Sequence, residues 1–217
     1  MLKPALLAAL ILLPAGEAVA QQFSAEMVPV GPGAEQAKLP PQKIYVANGK
    51  MRTEMTGPGG PRVVIADGKT GIAYMIMPQQ KTYMVLPRRN EAAAWSQIDP
   101  ENACPQWEAL AKKSGQREAE GWDCARIREE PVANRLAVKY EATSPEGERF
   151  FAWIDIELRF MVKTLDGDGD GMELRDIREG PQPQTLFELP QGYKKLEMPI
   201  PQPLTPPPPP PPGARKP

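Results

Sequence analysis

From Phe23 to Leu86, apolar and polar residues alternate in short runs separated by turn residues, a pattern that predicts an antiparallel meander. The stretch "KIYVANGKMRTEM" sets Asn48-Gly49 between two alternating segments, the strongest short hairpin signal. Asp67-Gly68 turns between strands expected near 62–66 and 71–77, and Pro78 to Lys81 turns into one near 82–86. A four-residue loop at that point sets Met77 opposite Thr82, Met75 opposite Met84 and Ala73 opposite Leu86, with Ile76 opposite Tyr83 and Tyr74 opposite Val85 on the other face. Both faces of this hairpin are apolar. A sheet wetted on one side alternates more cleanly, so either another segment covers the second face or the sheet curls around an apolar interior.

The period changes after Leu86. "RRNEAAAWSQIDPENACPQWEALAKKSG" has helical composition, is interrupted at Asp99-Pro100 and ends at Gly115 behind two lysines, predicting short helices near 90–97 and 103–113 with Trp95, Trp107 and Leu110 buried. Strand-like segments then resume in "QREAEGWDCARIREE", "RLAVKYEATS", "ERFFAWIDI", "RFMVKTLD" and "GMELRDIREG". The expected fold is mainly β with a helical insertion (α+β): a curled antiparallel sheet or half-open barrel of roughly ten strands packed on two or three short helices.

Both ends of the chain differ from this middle. Lys3, an apolar run from Ala5 to Pro14 too short to span a bilayer, and Ala18-Val19-Ala20 predict a cleaved signal peptide over 1–20. From Pro199 the sequence is mostly proline, predicting an extended polyproline II or disordered tail over 199–217. One exported domain, 21–198, lies between them, expected to be periplasmic, soluble and not integral to the membrane. The net charge of −1 leaves no electrostatic footprint for nucleic acid.

Candidate chemistry is sparse. The chain has no histidine, which excludes Ser-His-Asp, Cys-His and histidine-zinc arrangements, and no glycine-rich phosphate cradle opens a helix, so no enzyme and no cofactor are expected. Its two cysteines, Cys104 and Cys124, predict a disulfide in an exported chain, and closing a loop of about 20 residues contributes about 3 kcal/mol. Asp166, Asp168 and Asp170 followed by Gly171 reproduce half of a calcium loop. The twelfth position, where such a loop needs a bidentate glutamate, is Ile177, and the flanks read as strands. The run is therefore expected to be a flexible acidic turn, with those three aspartates kept only as a secondary metal candidate. The flexible and aromatic side chains Tyr45, Tyr74, Met75, Met77, Tyr83, Met84, Phe151 and Trp153 are candidates to line an apolar cavity.

Several segments in order, "FSAEMV", "KIYVANGKMRTEM", "YMIMPQQKTYMVLP", "CPQWEALAKKSG", "EGWDCARIREE", "FFAWIDIELRFMVKTLDGDG" and "LRDIREGPQPQTLFELPQGYKKL", resemble the LolA-like superfamily, within it a branch known only as a domain of unknown function. The resemblance implies a half-open barrel wrapped around helices, with a cavity that in the carrier proteins accepts acyl chains. It makes Arg52 in "KMRTEM" the candidate counterpart of the carriers' gating arginine; the proline tail departs from the carrier pattern. The expected function is periplasmic, non-enzymatic sheltering of a lipid, acylated group or other apolar ligand. The alternative is an envelope protein that holds a protein partner through its sheet surface or its proline-rich tail.

Overall fold

The computed structural model describes residues 21–86, 97–114 and 121–197. The expected signal peptide, the proline tail, and the expected helix over 90–97 apart from its last position, with Trp95, lie outside these residues. The strands are β1 (Phe23–Val30), β2 (Gln42–Ala47), β3 (Lys50–Gly57), β4 (Gly60–Asp67), β5 (Ile72–Met77), β6 (Thr82–Leu86), β7 (Asp123–Val132), β8 (Arg135–Thr143), β9 (Arg149–Asp155), β10 (Met161–Asp166), β11 (Gly171–Glu179) and β12 (Lys194–Lys195). Two α-helices are described, α1 (Pro32–Ala37) and α2 (Ala103–Ser114).

All twelve strands belong to one curled, unclosed sheet in the order β12-β6-β5-β4-β3-β2-β1-β11-β10-β9-β8-β7. The β5–β6 register is the expected one at every pair. Two local meanders, β1 to β6 and β7 to β11, run through short connections, apart from the β1–β2 link that carries α1, and the antiparallel pairing of β1 with β11 joins them. β12, which pairs in parallel with β6, and α1 have no counterpart in the sequence reading. β12 is only two residues long, and α1 buries none of its residues, so neither has an apolar period to betray it.

The doubly apolar meander is covered on both sides. On the inner face, which α2 shares, Phe23, Ile44, Val46 and Met51 are buried, and Phe160 meets Phe23 edge to face with ring centroids 5.1 Å apart. On the outer face, Ile65 and Ile76 pack with Phe187 from the 3-10 turn Gln184–Phe187, and Tyr45, Tyr74, Tyr83 and Tyr193 flank that cluster. The helical middle of the chain is the cover the sequence leads one to expect here; on this face the cover is instead the chain's own C-terminal segment.

A buried ion pair fixes the β8–β9 end of the sheet. Asp155 is 1% exposed, accepts from Arg135 Nε at 2.5 Å and Nη2 at 3.2 Å, and accepts the backbone N–H groups of Glu157 and Leu158. Arg135 also reaches Glu179 on β11 at 2.8 Å, tying β8 to the last strand of the same meander. Hydrogen bonding to Asp155 holds the Arg135 guanidinium above its ordinary value against the opposing effect of burial. Arg135→Ala leaves Asp155 buried without its cation and is expected to cost about 3 kcal/mol, read as a lower urea midpoint with an unchanged slope. A loss under about 0.5 kcal/mol, the level of an ordinary surface substitution, contradicts this role.

Candidate functional site

The inner face of β7 to β10 carries the apolar cleft. Pairing aligns Cys124, Ala142 and Phe150 across β7, β8 and β9, and Tyr140 with Ala152 one pair further along. α2 lies against these strands: Ala103 is fully buried, and Trp107 meets Tyr140 edge to face at 5.5 Å. The Tyr140 hydroxyl donates to the Pro100 carbonyl at 2.8 Å and accepts the Ala103 N–H at 3.5 Å, so one buried phenol anchors both the start of α2 and the chain entering it. Burial raises the pKa of that phenol. Ile98, 2% exposed, fixes the same segment through its N–H to the Arg159 carbonyl at 2.9 Å.

Between α2 and the sheet is an open cleft of about 480 Å³, lined by Cys104, Pro105, Trp107, Glu108, Trp122, Cys124, Ala142, Phe150 and Met161. The expected disulfide joins Cys104 on α2 to Cys124 on β7 and forms part of the wall. Glu108, the single charged residue of the lining among the described residues, pairs with Lys112 at 2.5 Å, and that hydrogen bond lowers its carboxyl pKa. The volume and the apolar lining suit a small organic ligand or an acyl chain.

None of the eight cavity candidates read from the sequence lines this cleft, and they do not share a face. Tyr45, Tyr74 and Tyr83 lie on the outer face beside the C-terminal segment. Met75, Met77 and Met84 lie on the inner face of β5 and β6, half-buried, near the other end of the strand order from β7. Phe151 and Trp153 are on the outer face, where Lys139 Nζ stands 4.6 Å and 4.9 Å from their ring centroids. Trp153 Nε1 donates to Glu130 at 2.5 Å. Burial pushes the Glu130 carboxyl up, but its bonds to Trp153 and Arg128 outweigh this and hold it below the usual value. Trp153, 4% exposed, is nevertheless a core residue, half-buried Phe151 packs against the same core, and charged side chains cap both rings.

Trp107 and Leu110, expected to be buried, are half-buried. For Trp107 the reason is the cleft, which leaves one side of the ring open. Of the aromatic pair Phe150-Phe151, it is Phe150 that faces inward, a choice set by its pairing with Ala142. The signal that could have found the lining was the disulfide itself: Trp107 lies one helical turn after Cys104, and Trp122 two residues before Cys124.

Arg52 is on the outer face and donates to Glu54 at 2.8 Å and to the Leu186 carbonyl at 2.9 Å. It clamps the C-terminal segment onto β3 and does not face the cleft.

The acidic turn is ordered by its own backbone. Asp166 Oδ1 accepts from the N–H groups of Asp168 and Asp170, both at 3.0 Å. Asp170 Oδ1 accepts from Gly33 at 2.7 Å and Ala34 at 3.4 Å, docking the turn onto the start of α1. Gly171 is required at the close approach, because a Cβ there would stand 1.9 Å from the Thr164 carbonyl oxygen. Two of the three aspartates thus serve backbone N–H groups, and among the described residues no group of three or more metal-ligating side chains converges.

With this geometry in view, the likenesses to known proteins concern the fold. A family described as a domain of unknown function (DUF4412) matches residues 34–138. No curated protein matches the sequence. Among solved structures, an uncharacterized conserved protein from Thermus thermophilus is similar over 82% of this chain and 90% of its own, at 10% identity and a TM-score of 0.51. MucB matches over 80% of this chain at 16% identity and a TM-score of 0.49, and the chain spans 58% of its length. A LolA superfamily protein from Nitrosomonas europaea matches over 78% of this chain and 90% of its own at 9% identity, with a TM-score of 0.31. Of these three only the Thermus protein passes half on that scale, and at its identity the likeness is one of fold alone.

The roles of the aspartates are separable. Asp170→Ala removes the acceptor for the first turn of α1 and is expected to cost about 1 kcal/mol, while Asp168→Ala, an exposed position, stays within about 0.5 kcal/mol of the parent. Urea denaturation of both variants checks the order; equal losses would contradict the docking role.

Proposed function

We propose that this protein is an exported, non-enzymatic binding protein that shelters one lipid, acyl chain or similar apolar ligand in the cleft between α2 and the inner face of β7 to β10. The observation that carries the reading is the cleft: about 480 Å³ of open space on a curled sheet, walled by Trp107, Trp122, Phe150 and Met161, with the Glu108 carboxylate already paired to a lysine. Exposed apolar walls of this kind cost free energy unless a ligand or partner covers them. The Cys104–Cys124 disulfide suits an oxidising compartment, which agrees with the expected signal peptide. The LolA-like motifs and the half-open barrel support the same reading.

A second reading, an envelope protein that holds a protein partner, draws support from β7. This ten-residue strand ends the sheet, and Ile127 on it is 41% exposed. Arg126, Arg128, Glu129, Glu130 and Pro131 on the same strand are the residue types that blunt an edge against indiscriminate pairing, which favours the cleft reading. In the second reading, removing residues 199–217 abolishes partner capture while leaving apolar binding intact.

The cleft reading predicts that native mass spectrometry of the mature protein shows co-purified lipid. Delipidated protein should bind N-phenylnaphthylamine, and Met161→Glu, which places an unpaired carboxylate in the wall, should weaken that binding by roughly tenfold or more. Met84→Glu, on β6, should leave it unchanged. Absence of both bound lipid and probe uptake would refute the assignment.

A further inference from the structure

The disulfide occupies an unusual place for a mere staple. Both of its cysteines line the cleft, one on each wall, and both are half-buried beside open space, within reach of a small reductant. Cys104 is the second residue of α2, and Cys124 is the second residue of the edge strand β7. β7 is paired on one side only, so its beginning is held by β8 and by this bond. α2 is twelve residues long, a length at which a helix needs tertiary contacts to persist. Its N-terminal half is anchored by buried Ala103, the Trp107–Tyr140 ring contact, and the Asp99 N–H bond to Gln106. The core formed by Phe23, Ile44, Val46 and Phe160 is separate from these anchors.

Building on the binding reading above, we propose that the Cys104–Cys124 disulfide is a redox clamp on the cleft: oxidised, it holds α2 against β7 in the binding arrangement; reduced, it frees the helix and the cleft loses its apolar ligand. The reductant is a dithiol. One of its thiolates attacks a cysteine sulfur, the Sγ–Sγ bond breaks, and the second thiolate displaces the mixed disulfide. Two electrons and two protons pass to the protein, which ends with two thiols, while the dithiol ends as its own disulfide. The loss of affinity follows from lost preorganisation, since the two walls must then be ordered anew at each binding event.

The test uses the mature full-length protein, oxidised or reduced with dithiothreitol, with two readouts: binding of N-phenylnaphthylamine, and amide hydrogen exchange. Reduction should weaken probe binding by roughly tenfold, accelerate exchange in α2 and at the start of β7, and leave β1 to β5 protected; reoxidation should restore all three. The Cys104→Ser/Cys124→Ser protein should match the reduced state and ignore dithiothreitol. Equal probe affinity in both redox states overturns the clamp while leaving the binding reading standing. Unchanged exchange in α2 overturns it as well, and exchange that accelerates throughout the sheet shows a general staple in place of a local clamp. An oxidised protein that takes up no probe defeats the binding reading and the clamp together.

Discussion

The antiparallel pairing of β1 with β11 turns two local meanders into one sheet, and most other features follow from that seam. Each meander is held by short turns and could form its own hairpins, but neither can bury both of its faces. Joined, they form a curled surface on which Phe23 on β1 meets Phe160 from the β9–β10 connection, while Arg135 on β8 bridges Asp155 and Glu179 within the second meander. The cost is a sheet that remains open at β7 and β12, with apolar residues on both sides. Segments outside the large strands must cover what closure would have hidden.

The two covers differ in kind, and that difference sets the candidate site apart. On the outer face the C-terminal segment packs Phe187 against Ile65 and Ile76 and is latched by Arg52 through the Leu186 carbonyl, leaving a filled layer. On the inner face α2 is anchored by Tyr140 but stands off Phe150 and Met161, leaving a gap. The outer aromatics Phe151 and Trp153 are occupied by Lys139 and Lys163, and Glu173 pairs with Lys163 and Arg175. Burial raises the Glu173 carboxyl, and these cationic bonds more than offset it, holding its pKa below the usual value. There the buried Trp153 and the half-buried Phe151 are packed in the core and capped by charge, whereas the cleft is apolar with unfilled space.

Local structure is legible in the sequence because it is written locally. The Asn48-Gly49 and Asp67-Gly68 turns and the β5–β6 register follow from turn residues and period-two alternation within a few positions, and the disulfide from two cysteines in a chain that reads as exported. The seam between β1 and β11 is not legible, because no residue near either strand encodes a partner so distant in sequence. Without it, the inner face of each strand cannot be assigned, so Tyr74 and Met75, neighbours on opposite faces, read as one lining. The same gap makes Phe151 look like a cavity residue in place of Phe150. The acidic turn misleads differently: its spacing invites a cation, but Asp166 and Asp170 are already committed to backbone N–H groups of their own turn and of α1.

The most direct test of the account is a methyl NMR titration of the delipidated protein, labelled at methionine methyl groups, with a single-chain fatty acid. Met161 lines the cleft, while Met75, Met77 and Met84 lie on β5 and β6. Saturable shifts at Met161 with Met75, Met77 and Met84 unmoved are the predicted result. Shifts confined to Met75, Met77 and Met84, or none at all, would contradict it.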